Sequence, residues 1–117
     1  MKYMVMVHHR LSDLGSLTEK QINDVIAQHD VFTDALKAAG VLVHPRGFRL
    51  RPAAEMVRFD KGQGERAVFD GPHPETKEVI GGLYVLEVKD KAEALRWASQ
   101  HPTWGNDTIE VREIWDC

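Results

Sequence analysis

Six of the 117 residues are histidines, and imidazole is the side chain most able to move protons near neutral pH. His29 is placed most unusually. Ile22, Val25, Ile26, Phe32 and Leu36 recur at helical spacing. At about 100° per residue, His29 falls near the middle of that apolar stripe, one turn from Val25, Ile26, Phe32 and Thr33. Two readings stay open for it. Either it is a core histidine donating one ring N–H to a backbone carbonyl, or it is a general acid/base facing an apolar pocket between helix and sheet. Asp30, one step round, belongs at the edge of the stripe or outside it.

Other chemistries find less support. His8 and His9 are neighbours on a strand and point to opposite faces, so they cannot share one metal ion. At least one of them is expected to be merely a polar strand end. No H-x-H or H-x-x-x-H spacing occurs, so a metal would need His29, His73 and His101 to converge through folding, and none is expected. Gly62-x-Gly64 lacks the rest of a nucleotide fingerprint, and no cofactor is expected. The single cysteine, Cys117, has no activating base near it in sequence and no partner for an internal disulfide. A net charge of −3 with mixed signs gives no reason to expect nucleic acid. The basic cluster His44, Arg46, Arg49 and Arg51 is either a solvated strand edge or a patch for a small anion. No apolar run reaches the roughly 20 residues that cross a bilayer, and no signal peptide is visible, so a cytoplasmic protein without a membrane partner is expected.

The elements that must position these groups follow from patterning. At this length, 43% hydrophobic and 28% charged residues describe one soluble domain, residues 1–117. Lys2 to Val7 reads as a strand that is apolar on both faces. Thr18 is a helix N-cap with Gln21 at the capping-box position, and Gly40 is the residue that ends that helix near Ala39. Val41–Val43 and Gly47–Leu50 read as a bent second strand, broken at His44-Pro45. Glu55–Phe59 and Arg66–Phe69 form a hairpin around Gly62-Gln63-Gly64. Leu83–Val88 is a fifth strand, again apolar on both faces. Asp90 caps a second helix with Glu93 at its N3 position, Pro102 stops it, and Asp107–Ile114 is the last strand.

This order predicts an α+β, ferredoxin-like antiparallel sheet with both helices on one face. The two-faced strands then leave an apolar far side, which a symmetric pair burying sheet against sheet would cover. A homodimer through the sheet face is therefore expected.

Asp70-Gly71-Pro72-His73-Pro74-Glu75-Thr76-Lys77-Glu78, followed by Gly81-Gly82-Leu83-Tyr84, resembles the signature of the DGPF proteins. These are the YCII-related (YciI-like) family of small bacterial α+β domains, whose usual pattern is D-G-P-F-A-E-T-K-E and then G-G-Y-Y. His73, Pro74 and Leu83 depart from it. The likeness extends to Met1–Met4, Ala38–Leu42, Ala92–Ala98 and Glu110–Arg112, nearly the whole chain. It implies dimeric α+β barrels. It also implies a site residue, because similar proteins carry a histidine eleven residues before the glycine, as His29 precedes Gly40. There it has been proposed to act with an aspartate near the end of the second helix. His101 stands at that place here, so a carboxylate would have to come from elsewhere, and Asp70 would supply it if its loop folds back.

Each further candidate keeps a plainer role beside the functional one. Asp70 is otherwise an Asx-type turn cap, His73 a packing replacement for phenylalanine, and His101 a cation on the helix C-terminus. Lys77 holds an anionic group or is a surface lysine, Tyr84 completes the signature and is a ligand-binding candidate, and Trp104 walls the pocket or packs locally. Dehydrochlorinase activity among similar proteins, and isomerases with the same barrel, imply a cofactor-independent enzyme. It would transfer a proton on an unidentified small organic ligand. Association of the family with sigma-factor regions implies the alternative, a non-catalytic binding or accessory module, and a purely structural dimerising module is the third possibility.

Overall fold

A computed structural model of the chain describes residues 1–51, 54–60, 62, 64–71 and 77–115. Its elements are β1 (Lys2–Arg10), a 3₁₀ turn (Leu11–Asp13), α1 (Glu19–Ala38), β2 (Phe48–Arg49), β3 (Ala54–Asp60), β4 (Glu65–Gly71), β5 (Glu78–Glu87), α2 (Lys91–Ala98) and β6 (Thr108–Glu113). Four strands form an antiparallel sheet in the order β2-β5-β1-β6, so β1 is central and paired on both sides. The architecture is α+β.

Local signals set both helix ends. Thr18 Oγ1 accepts from the Gln21 amide while the Gln21 side chain accepts from the Thr18 amide, a complete capping box. At the other end Gly40 takes a φ of 72°, in the left-handed region a side chain would resist. That turn lets the Val41 amide donate back to the Leu36 carbonyl and the Gly40 amide to that of Lys37. In α2 the Asp90 carboxylate accepts from the Glu93 amide.

The core lies between the helices and one face of the sheet. Period-two alternation puts Tyr3, Val5 and Val7 of β1 beside Tyr84 and Leu86 of β5, and Phe32, Leu36, Ala94 and Ala98 of the helices close over them. The opposite face carries Met4, Met6, Leu83 and Val85, all half-buried, with no described helix over them.

The second strand and the hairpin differ from the sequence expectation. Only Phe48-Arg49 joins β5 as β2, while Leu42 makes a single bridge to Leu86, because the intervening His44-Pro45-Arg46 bends the chain off the sheet edge. β3 and β4 pair as expected, Val57 opposite Val68, but as a two-stranded sheet of their own. Both valines are largely exposed, at 63% and 69%. No described helix is long and apolar enough to cross a membrane.

Candidate functional site

Where α1 crosses the sheet near β2, a cavity of about 680 Å³ opens. β1 delivers the first imidazole. Tyr3, Val5 and Val7 all face the helices, and one further step of two places His9 on the same side. The alternation survives because the irregularity lies in the partner strand. Val7 opposes Gly82 and His8 opposes Ile80, so Gly81 is the extra residue of a bulge in β5. The His9 ring lies against Gly81, and a Cβ built there would run into ring atoms Cδ2 and Nε2.

A carboxylate fixes that ring. Asp107, immediately before β6, places Oδ1 2.9 Å from His9 Nδ1, and its side chain is fully shielded from solvent. A carboxylate can only accept, so Nδ1 carries the proton in the neutral ring and Nε2 the lone pair. Trp104 packs on the other side of His9, ring centroids 5.0 Å apart and planes 31° apart. His8, on the opposite face, pairs instead with Glu110 at 2.8 Å.

His29 arrives from α1 with the same ring nitrogen engaged. Its Nδ1 lies 2.7 Å from the Val25 carbonyl, one helical turn back. The carbonyl also only accepts, so Nε2 is again the atom left to exchange a proton. The backbone bond expected of a core histidine and the cavity position expected of a catalytic one are therefore both present.

His101 lies between these groups. It is 7% exposed, edge-on to His29 at 4.9 Å, to Phe32 at 5.2 Å and to Tyr84 at 5.6 Å. Burial pushes its pKa down to about 4; the nearby His29 and His9 add to the fall, and Asp107 opposes it. It is neutral at physiological pH. Its Nδ1 and Asp107 Oδ2 are buried without a hydrogen-bond partner among the described residues. Burial raises the pKa of the Tyr84 phenol, partly offset by its hydrogen bond with Thr33 and by the charge of Arg49.

The cavity thus gathers His29, His101, Tyr84 and Trp104 from the sequence candidates. Lys77 is exposed and lines a separate recess with Arg10 and Glu78. Asp70 lies in β4 opposite Glu55, with its side chain outside the described set, as is the whole of His73. The carboxylate in the cavity wall's second layer is Asp107 instead. His9 and Asp107 were not singled out from sequence, although the alternation Tyr3, Val5, Val7 already pointed at His9. No three His, Cys, Asp or Glu side chains gather in metal-binding geometry among the described residues.

No curated protein matches the chain. The model of the YCII-related domain matches residues 1–117, the whole of the sequence, and the chain belongs to that family.

Proposed function

We propose that the cavity is the site of a cofactor-independent acid/base enzyme acting on a small organic molecule. The observation that carries this reading is the pair His9 and His29, each with Nδ1–H tied down and Nε2 left available at one cavity. Proton transfer by a positioned imidazole is typically worth about 10²–10⁴ in rate. One imidazole, neutral, takes a proton from carbon on its Nε2 lone pair. The other, when protonated at Nε2, gives one to a second atom or to the leaving group, and solvent resets the pair. This meets the requirement of an isomerisation or of an elimination. Asp107 acts as a positioning residue, since it holds the His9 ring and tautomer without lining the cavity. His101, kept uncharged, adds a dry polar wall between the two bases.

We also read the order β2-β5-β1-β6 with both helices against one face as ferredoxin-like, the β3–β4 hairpin being an insertion. The helix-free face supports a homodimer. Its apolar strip Met4, Met6, Leu83 and Val85 is flanked by Glu110 and Arg112, so a two-fold copy brings both charge signs to the rim.

Deuterium incorporation from D₂O tests the catalytic reading. The panel comprises simple ketones, unsaturated lactones and chlorinated cyclohexenones, followed by mass spectrometry. Incorporation or chloride release by the wild type should fall at least about a hundredfold in His29→Gln and in His9→Gln. Undiminished turnover in both folded variants overturns the assignment. A wild type that binds members of the panel and turns over none leaves the non-catalytic binding module as the better description.

A further inference from the structure

The cavity mouth carries two arginines that the acid/base chemistry does not use. Arg49 belongs to β2, which is pinned edge to edge with β5, Arg49 opposite Gly82. Arg46 sits in the preceding loop, which comes close to the ring of Tyr84 at Gly47. The approach at Gly47 is so close that a Cβ there would collide with the ring carbons. Backbone contacts therefore hold both arginine-bearing positions against the cavity. Neither guanidinium makes an ion pair among the described residues. Arg49 is near enough to the Tyr84 phenol for its charge to act on it.

The charge balance of the walls has one sign. Among the described residues Asp30 is the only carboxylate lining the cavity; Asp107 stands behind His9 and is engaged by it. The imidazoles contribute zero or positive charge, never negative. Much of the remaining lining is apolar, including Leu17, Ile22, Val25, Val79 and Trp104. Cavities of this size, about 300–1,000 Å³, enclose most of a small organic ligand, and a planar guanidinium matches a carboxylate through two parallel N–H···O bonds.

We infer that the ligand is an organic carboxylate with a flat apolar body. Its carboxylate is held at the mouth by Arg46 and Arg49, and its body reaches inward to His9 and His29. This rests on the acid/base reading of the same cavity and names its substrate class. In this arrangement the phenolic O–H of Tyr84, near enough to Arg49 to feel its charge, donates to the same anion. Anchoring at the mouth orients the reactive part of the molecule at the imidazoles, which is how remote binding energy becomes positioning.

Binding alone tests the inference. Benzoate and cinnamate, their neutral amides, and phenyl phosphate are titrated into the full chain while the Trp104 indole N–H is followed by NMR. Saturable shifts with the carboxylates, about tenfold tighter than with the amides, are expected. In Arg46→Gln/Arg49→Gln that preference should vanish, while Arg49→Lys should keep part of it. Equal affinity for acid and amide, an undiminished preference in the double variant, or no saturable binding of either carboxylate overturns the inference. Tighter binding of phenyl phosphate overturns the choice of carboxylate. The readout separates the two proposals. Preference for the carboxylates that persists in His29→Gln supports this inference even when no member of the deuterium panel turns over.

Discussion

At the scale of single residues, His101 makes the most direct statement. Its ring is buried among His29, Phe32 and Tyr84, and its pKa falls to about 4 from an ordinary value near 6.5. The unfolded chain then binds the proton that the folded chain refuses between those two values. This contribution to stability is fully present above about pH 6.5 and is lost as pH falls toward 4. One proton corresponds to a slope of about 1.4 kcal/mol per pH unit where the difference is complete. Urea denaturation of the wild type and of His101→Phe at a series of pH values isolates that slope. The aromatic variant keeps the ring packing and should lose about one proton's worth of pH dependence over this interval. An identical slope in both proteins would mean that the folded chain protonates His101 without cost. The same imidazole separates what the sequence discloses from what it hides. A helical period of 3.6 is enough to put His29 inside, but His101 follows the end of α2, where no period constrains its direction.

Elements decide where those residues meet, and here legibility depends on range. The capping box of Thr18 and Gln21, the left-handed Gly40 and the Asp90 cap each involve residues a few positions apart, and all could be read directly. The pair His9–Asp107 spans 98 positions and exists only because β1 lies beside β6 in the sheet. β2 falls within the Gly47–Leu50 strand read from sequence, but its partner, β5, about 34 positions on, was not legible there. The bulge at Gly81 is the hinge of the arrangement. It shifts β5 by one residue against β1 and makes room for the His9 ring, which Asp107 prevents from swinging away. Gly81→Ala must therefore move either the strand or the ring. Forcing an extra methyl into a packed site costs typically about 1–3 kcal/mol. The expected outcome is a loss of that order in urea unfolding, together with an altered His9 tautomer in ¹⁵N NMR. An alanine accommodated with unchanged stability and the same Nδ1–H signal would show that His9 is not clamped.

The whole molecule poses a question of surface. Helices cover one side of the sheet, and the other presents Met4, Met6, Leu83 and Val85, half-buried and with no described helix over them. An apolar strip on a sheet face is the kind of surface that serves for interaction. In the proposed homodimer a second copy is the occupant, because a two-fold axis through the face sets each apolar strip against its duplicate. Met6 lies on the central strand, between Leu83 of β5 and Glu110 of β6, so Met6→Lys puts a charge near the centre of that face. Met6 is only half-buried within the single chain, so the substitution leaves the lysine solvated there and should change the chain's own stability little. In the paired state it occurs twice, and each buried unpaired charge costs about 3–5 kcal/mol. Sedimentation velocity at micromolar concentration should give twice the chain mass for the wild type and the single mass for Met6→Lys, with matching circular dichroism. A wild type that sediments as one chain removes the dimer, and a lysine variant that stays paired moves the interface to another surface.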